Sequence, residues 1–91
     1  MAPEAAEKLL VHREDPVCMP VPTGARVMGA VVIAIEIGHE GQVFHPRIIS
    51  GPAMLRQPAL EAVRKYRHTP YRLDRKPALV ETTVSIRFTC D

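Results

Sequence analysis

From Arg26 to Val43 the chain reads RVMGAVVIAIEIGHEGQV, and within it Val27, Val31, Ile33, Ile35 and Ile37 share one parity. A period of two in β-branched residues predicts a strand over 27–37. The opposite parity, Met28, Ala30, Val32 and Ala34, is apolar but mostly small, which predicts a central strand whose second face is partly covered. The following GHEG places glycines 38 and 41 around His39 and Glu40, the composition of a tight hairpin turn. A second strand is expected over 42–49 on Val43, Phe44, Ile48 and Ile49. Pro46 lies inside it with no N–H to give a ladder, so that strand belongs at a sheet edge or carries a bulge.

After Ser50, Gly51 and Pro52 the period changes. Leu55, Ala59, Ala62, Val63 and Tyr66 fall on one stripe at helical spacing, and the alanines let such a helix lie close to a sheet. Placing Pro58 in the first turn, where a missing N–H costs nothing, starts the helix near Gln57 and ends it before Pro70. HTPYRLDRKP then reads as a loop. Alternation resumes in ALVETTVSIRFT, with Val80, Thr82, Val84, Ile86 and Phe88 on the inner face and Glu81, Thr83, Ser85 and Arg87 on the outer. Ahead of all this, Ala6, Leu9, Leu10 and Arg13 suggest a weak amphipathic helix over 2–13. Prolines 16, 20 and 22 make an extended connector after it. The expectation is an α+β, two-layer fold: a β-β-α-β unit with a three-stranded antiparallel sheet, order 2-1-3, one helix on one face, and a short N-terminal helix or extended segment. The division is a lead-in over 1–26 and a domain over 27–91.

With 91 residues and 46% apolar content, one compact domain that buries roughly 60–65% of its unfolded surface is all the chain supports. No apolar run approaches the roughly 20 residues of a membrane span, and the first 20 lack the order of a signal peptide. A net charge of +2 is too mild to demand a polyanion. The charge is nevertheless uneven: residues 56–76 hold seven of the twelve Lys and Arg against Glu61 and Asp74. On the helical wheel these side chains do not converge on one line, and Glu61 and Lys65 form a favourable i, i+4 pair. A solvated helix face explains them better than a nucleic-acid surface built from Arg64, Lys65, Arg67, Arg72 and Arg75. The GxxG spelling at Gly38–Gly41 is read as the hairpin turn and not as a phosphate clamp.

Histidines 12, 39, 45 and 68 have no spacing that sets two ligands on one helix face, and neither Cys18 nor Cys90 lies near any of them. Neither a metal site nor a cofactor is expected. The carboxylates are scattered and no serine sits in a nucleophile elbow, so nothing points to an enzyme. The last strand is more informative. If the first strand is central, the last is an edge whose unpaired backbone groups invite an added strand. The competing reading is an edge protected by Glu81 and Arg87.

In this order, GAVVIAIEIGHEGQV, RIISGPAMLRQPALEAVRKYRHTPY and VETTVSIRF resemble the C-terminal periplasmic domain of TonB energy transducers. LLVHREDPVCMP is similar to that family's lead-in. The likeness spans about Leu9 to Phe88. It departs from the family pattern at Tyr66, where a tryptophan is usual, at His68, at Pro58, and at Cys18-Met19. The resemblance implies a non-enzymatic module. It would bind the TonB box of an outer-membrane transporter by strand addition along Val80, Glu81, Thr82, Thr83, Val84, Ser85, Ile86, Arg87 and Phe88, and transmit energy derived from the proton-motive force. It further implies a periplasmic location at the C-terminal end of an inner-membrane-anchored protein, linked to a proton-channel complex through an anchor and Pro-rich spacer upstream. The chain resembles the isolated terminal domain. A small basic nucleic-acid binder and a homodimerisation domain that pairs the same edge with its own copy are the alternatives.

Pairing the first and last strands antiparallel brings the end of the last beside the connector that carries Cys18, and a periplasmic address permits oxidation. A Cys18–Cys90 disulfide is therefore expected, with a stabilisation of ~4 kcal/mol in the chain-entropy account.

Overall fold

A computed structural model describes residues 1–18, 27–73, 76–77 and 79–90. In chain order the elements are α1 (Pro3–Glu7), β1 (Leu10–His12), β2 (Val27–Ile37), β3 (Val43–Ser50), α2 (Ala53–Val63), β4 (Arg67–His68), β5 (Arg72–Leu73), β6 (Lys76–Pro77) and β7 (Val80–Cys90). The main sheet is antiparallel with the order β3-β2-β7, and α2 packs against β2 and β3. This is the α+β arrangement expected from the alternation, with the strongest strand in the middle.

The core is built from the parity that the sequence singles out. Val31, Ile33, Ile35 and Ile37 of β2 are buried, as are Leu55, Ala59, Ala62 and Val63 of α2, then Tyr66, and Val80, Ile86 and Phe88 of β7. Two small alanines on the helix face allow close approach of α2 to the sheet. The other face of β2 is partly covered, as expected: Val32 and Ala34 are half-buried, whereas Met28 is 59% exposed and Ala30 is exposed.

Three expectations are corrected. The helix starts at Ala53 with Pro52 as N-cap and ends at Val63, so Pro58 lies inside it rather than in its first turn and Tyr66 and the residues up to Pro70 lie beyond it. Leu55, at 0% exposure, decides this, since a start at Gln57 would leave the best core anchor outside the helix. Pro58 removes one bond to the carbonyl of Met54, an exposed residue within reach of water. The supposed N-terminal helix over 2–13 ends at Glu7, and Leu10–His12 instead pairs as β1 with β4. Of the expected stripe only Ala6 is fully buried, whereas Leu9 and Leu10 are half-buried and Arg13 is exposed. The segment read as a loop before the last strand contains β4 and the short β5–β6 ladder.

β2 and β3 are joined through Gly38, whose N–H donates to the Gln42 carbonyl (2.8 Å), and Gly41, whose N–H donates to the Gly38 carbonyl (3.0 Å). Gly41 has φ of +86°, and a Cβ there would lie 1.8 Å from the His68 carbonyl oxygen. His68 in turn donates its N–H to the Gly41 carbonyl at 2.8 Å. The hairpin turn is thereby fastened to β4, which no local pattern announces.

Candidate functional site: the free edge of β7

β7 pairs with β2 over eleven consecutive residues, from Val27 opposite Cys90 to Ile37 opposite Val80, without a register shift. In an antiparallel pair the backbone groups of successive residues point alternately toward and away from the partner. Two contacts fix the phase. The Met1 amino nitrogen donates to the Glu81 carbonyl (2.8 Å), and Cys18 Sγ lies 3.9 Å from the Thr89 carbonyl oxygen. Both carbonyls therefore face away from β2, and so do the backbone groups of Thr83, Ser85 and Arg87 between them. Among the described residues, none of these three has a backbone hydrogen bond on that side.

The expected strip Val80–Phe88 thus divides by parity. Val80, Thr82, Ile86 and Phe88 are buried, and Val84 is half-buried against the core. Their backbone groups bond to β2. Glu81, Ser85 and Arg87 are exposed and Thr83 is half-buried. The edge that can accept a strand is carried by these odd positions, a distinction that the residue pattern alone leaves open.

This edge opens onto a cleft of about 490 Å³. Residues 83–87 of β7 form one wall. Glu4, Ala6, Leu10, Arg13 and Asp15 of the lead-in belong to the other, and Tyr66 and His68 also line it. The lead-in is held in place by Ala6, buried in the core, by β1–β4 pairing, and by the Thr69 N–H donating to the Leu9 carbonyl at 2.6 Å. Glu7 pairs with Arg13 (3.1 Å), and His12 Nε2 lies 3.1 Å from Glu14 Oε2.

Tyr66 is buried, and burial raises its hydroxyl pKa; Asp15 adds to that shift and Arg13 opposes it. His68 is 5% exposed, and its pKa is lowered by burial against the opposing influence of the Gly41 carbonyl. Its Nδ1 has no hydrogen-bond partner. Sequence reading passed over His68 as one of four loop histidines; the lone signal was its position two residues after the last apolar residue of the helix stripe. Thr82 is a second buried side chain with an unpartnered oxygen, Oγ1.

The basic residues do not gather. Arg56 donates from Nε to the Gly51 carbonyl (3.1 Å). Arg67 donates to the carbonyls of Arg64 (3.1 Å) and Tyr66 (2.8 Å), closing the end of α2. Arg64, Lys65 and Arg72 are exposed, and Arg75 lies outside the described residues. Two of these arginines are thus occupied with the backbone. The expected Cys18–Cys90 bridge involves a side chain, that of Cys90, outside the described residues. No group of three metal-ligating side chains is present among the described residues, and none of their helices is long and apolar enough to cross a membrane.

A family model described as the C-terminal region of the Gram-negative bacterial TonB protein matches residues 24–90. No curated protein matches the chain.

Proposed function

From the premise that this chain belongs to the family of Gram-negative bacterial TonB C-terminal domains, and is a TonB-type periplasmic domain, we propose that it is a non-catalytic module that takes up the TonB box of an outer-membrane transporter as an added strand on β7. The observation that carries the reading is the unbroken β7 ladder, with the outward backbone groups of Thr83, Ser85 and Arg87 unpaired among the described residues beside a cleft. Main-chain pairing supplies affinity with little demand on sequence, and several parallel hydrogen bonds share a pull along the strand. The energy transmitted would originate at an inner-membrane proton-channel complex, reached through a region upstream of this domain. Within the lead-in, 1–26, the cleft-lining residues between Pro3 and Pro16 serve the domain at 27–91 as the opposite wall of the groove.

Hydrogen exchange tests this. Adding a TonB-box peptide should slow the amides of Thr83, Ser85 and Arg87, while those of Val84 and Ile86, already bonded to β2, change little. Unaltered protection at all three odd positions would sink the reading. Slowing that appears with rising protein concentration alone, without peptide, would assign the edge to a homodimer instead.

The Cys18–Cys90 disulfide is part of this proposal. Cys18 Sγ approaches the carbonyl of the residue just before Cys90, and the antiparallel register sets Cys90 beside Val27 at the start of β2. Closure would hold the lead-in against β7 when the domain is under load. Two reactive thiols in the denatured, unreduced protein would exclude it.

A further inference from the structure

The face of the main sheet turned away from α2 is open among the described residues, and it carries charges that neither the core nor strand addition uses. β2 supplies the middle of that face with its even positions: Met28 is 59% exposed, Ala30 is exposed, and Val32 and Ala34 are half-buried. β7 supplies one flank with its odd positions, since Glu81 stands opposite Glu36, Thr83 opposite Ala34, Ser85 opposite Val32 and Arg87 opposite Ala30. Directly opposed residues of an antiparallel pair share a face. The result is a centre of small residues with an acidic end and a basic end.

Both ends are left unfinished within one copy. Glu36 and Glu81 set two carboxylates side by side, an arrangement that is destabilising by itself. His45 Nδ1 lies 2.7 Å from Glu36 Oε2, which answers the first carboxylate and leaves the second. The Glu81 carboxylate and the Arg87 guanidinium have no ion-pair partner among the described residues. They are out of each other's reach, because the strand between them holds them about 20 Å apart. Their positions are nevertheless symmetric, three residues to either side of Val84.

We propose that this face pairs with the same face of a second copy of the chain, across a two-fold axis that lies in the interface, perpendicular to the strands, at the level of Ile33 and Val84. A two-fold contact has to be self-complementary. This axis reverses the strand direction and sets β7 against β7, so Glu81 of each copy meets Arg87 of the other. At the centre Val32 meets Ala34, and Thr83 meets Ser85. Side chains this small let the two sheets reach the roughly 10 Å spacing of packed sheets, a gap that glutamate and arginine together span. β3 brings Phe44, Arg47 and Ser50 to this face, none of them acidic, so an axis along the strands, which sets β7 against β3, leaves Arg87 unmatched. The face measures only about 26 by 14 Å, so the pair forms at high concentration or between tethered copies. Its contacts are made by side chains. The outward backbone edge of β7 stays free in both copies, and the pairing stands or falls apart from strand addition.

Sedimentation velocity of the 91-residue chain from about 10 µM to about 1 mM, the range suited to an interface of this size, should show a reversible monomer–dimer equilibrium. Glu81→Arg and Arg87→Glu, taken singly, each turn two attractive contacts into two repulsive ones and should raise the dissociation constant about tenfold. The double variant Glu81→Arg/Arg87→Glu re-forms both contacts and should return the constant to within about threefold of the parent. A monomer at every concentration overturns the proposal. So does a dimer that the single reversals leave unchanged or that the double variant does not restore. A dimer in which the amides of Thr83, Ser85 and Arg87 slow as concentration rises is paired through the edge instead, and overturns it as well.

Discussion

β3 and β7 flank the same central strand, yet they end the sheet in opposite ways. β3 is broken twice. Its register shifts where His45 and Pro46 oppose Ile35, and again at Ile49 between the partners of Val32 and Ile33. His45 adopts φ of +50° and its Nδ1 lies 2.7 Å from Glu36 Oε2, which pins the first bulge. Bulges and a proline blunt an edge against pairing with other chains. β7 has neither. It runs eleven residues in one register, with no proline and no glycine. A small sheet has two edges to manage, and this one blunts the first while leaving the second regular, as the proposed strand addition requires. Among the described residues, the lead-in beside β7 restricts access without filling the ladder.

The contrast within β7 between inward and outward backbone groups is the part most open to attack, and proline is the tool. Val84→Pro removes an N–H that bonds to β2 opposite Ile33. It should cost on the order of 3–5 kcal/mol and unfold much of the population, as read by circular dichroism melting. Ser85→Pro, one residue on, removes an N–H that faces the cleft. Its melting point should stay within a few degrees of the parent while affinity for an added strand drops about tenfold. Similar outcomes for the two variants would show that the assigned phase of β7 is wrong.

Gly41→Ala probes the other side of the comparison, the turn that leads into β3. A Cβ at 1.8 Å from the His68 carbonyl, in a backbone with φ of +86°, forces the turn away from β4, with an expected loss of about 2–3 kcal/mol in chemical denaturation. Because His68 also lines the cleft, peptide affinity on β7 should fall in the same variant. Retained affinity would separate the two edges completely.

The smallest effect expected is a pH dependence from His68. Burial lowers its pKa below the ordinary 6.5. As pH falls through about 6.5, the unfolded chain takes up the proton before the folded one, so stability declines with falling pH and levels off below the folded-state pKa. His68→Phe should flatten that part of the profile measured by urea denaturation. An unchanged slope would mean that the ring titrates as though it were in water.

Much of the fold was legible because the relevant physics is local. β-branched residues at period two located β2 to the residue, and alternation located the inner face of β7. Pro46 announced the bulged edge, since a missing N–H is a property of the residue itself. The stripe Leu55, Ala59, Ala62 and Val63 was also readable, whereas the helix bounds were not, and Tyr66 is buried beyond the helix end. The pattern set Pro58 in the first turn, and the burial of Leu55 against the sheet placed the start at Ala53 instead. β1 and β4 escaped because a pairing of two or three residues has no period of its own and exists only where the ends of two distant segments meet.

By itself, then, the sequence determined the three strands of the main sheet, the presence of the helix between them, their order, the core parity and the presence of one regular edge strand, each of them written in residue types at fixed spacing. Only the tertiary structure decided which half of β7's backbone is spent on β2, that the acidic lead-in stands opposite the remaining half, and that His68 is buried between them with a nitrogen unanswered. Those features depend on how segments far apart in the chain are brought together, and the packing of the whole sets that distance.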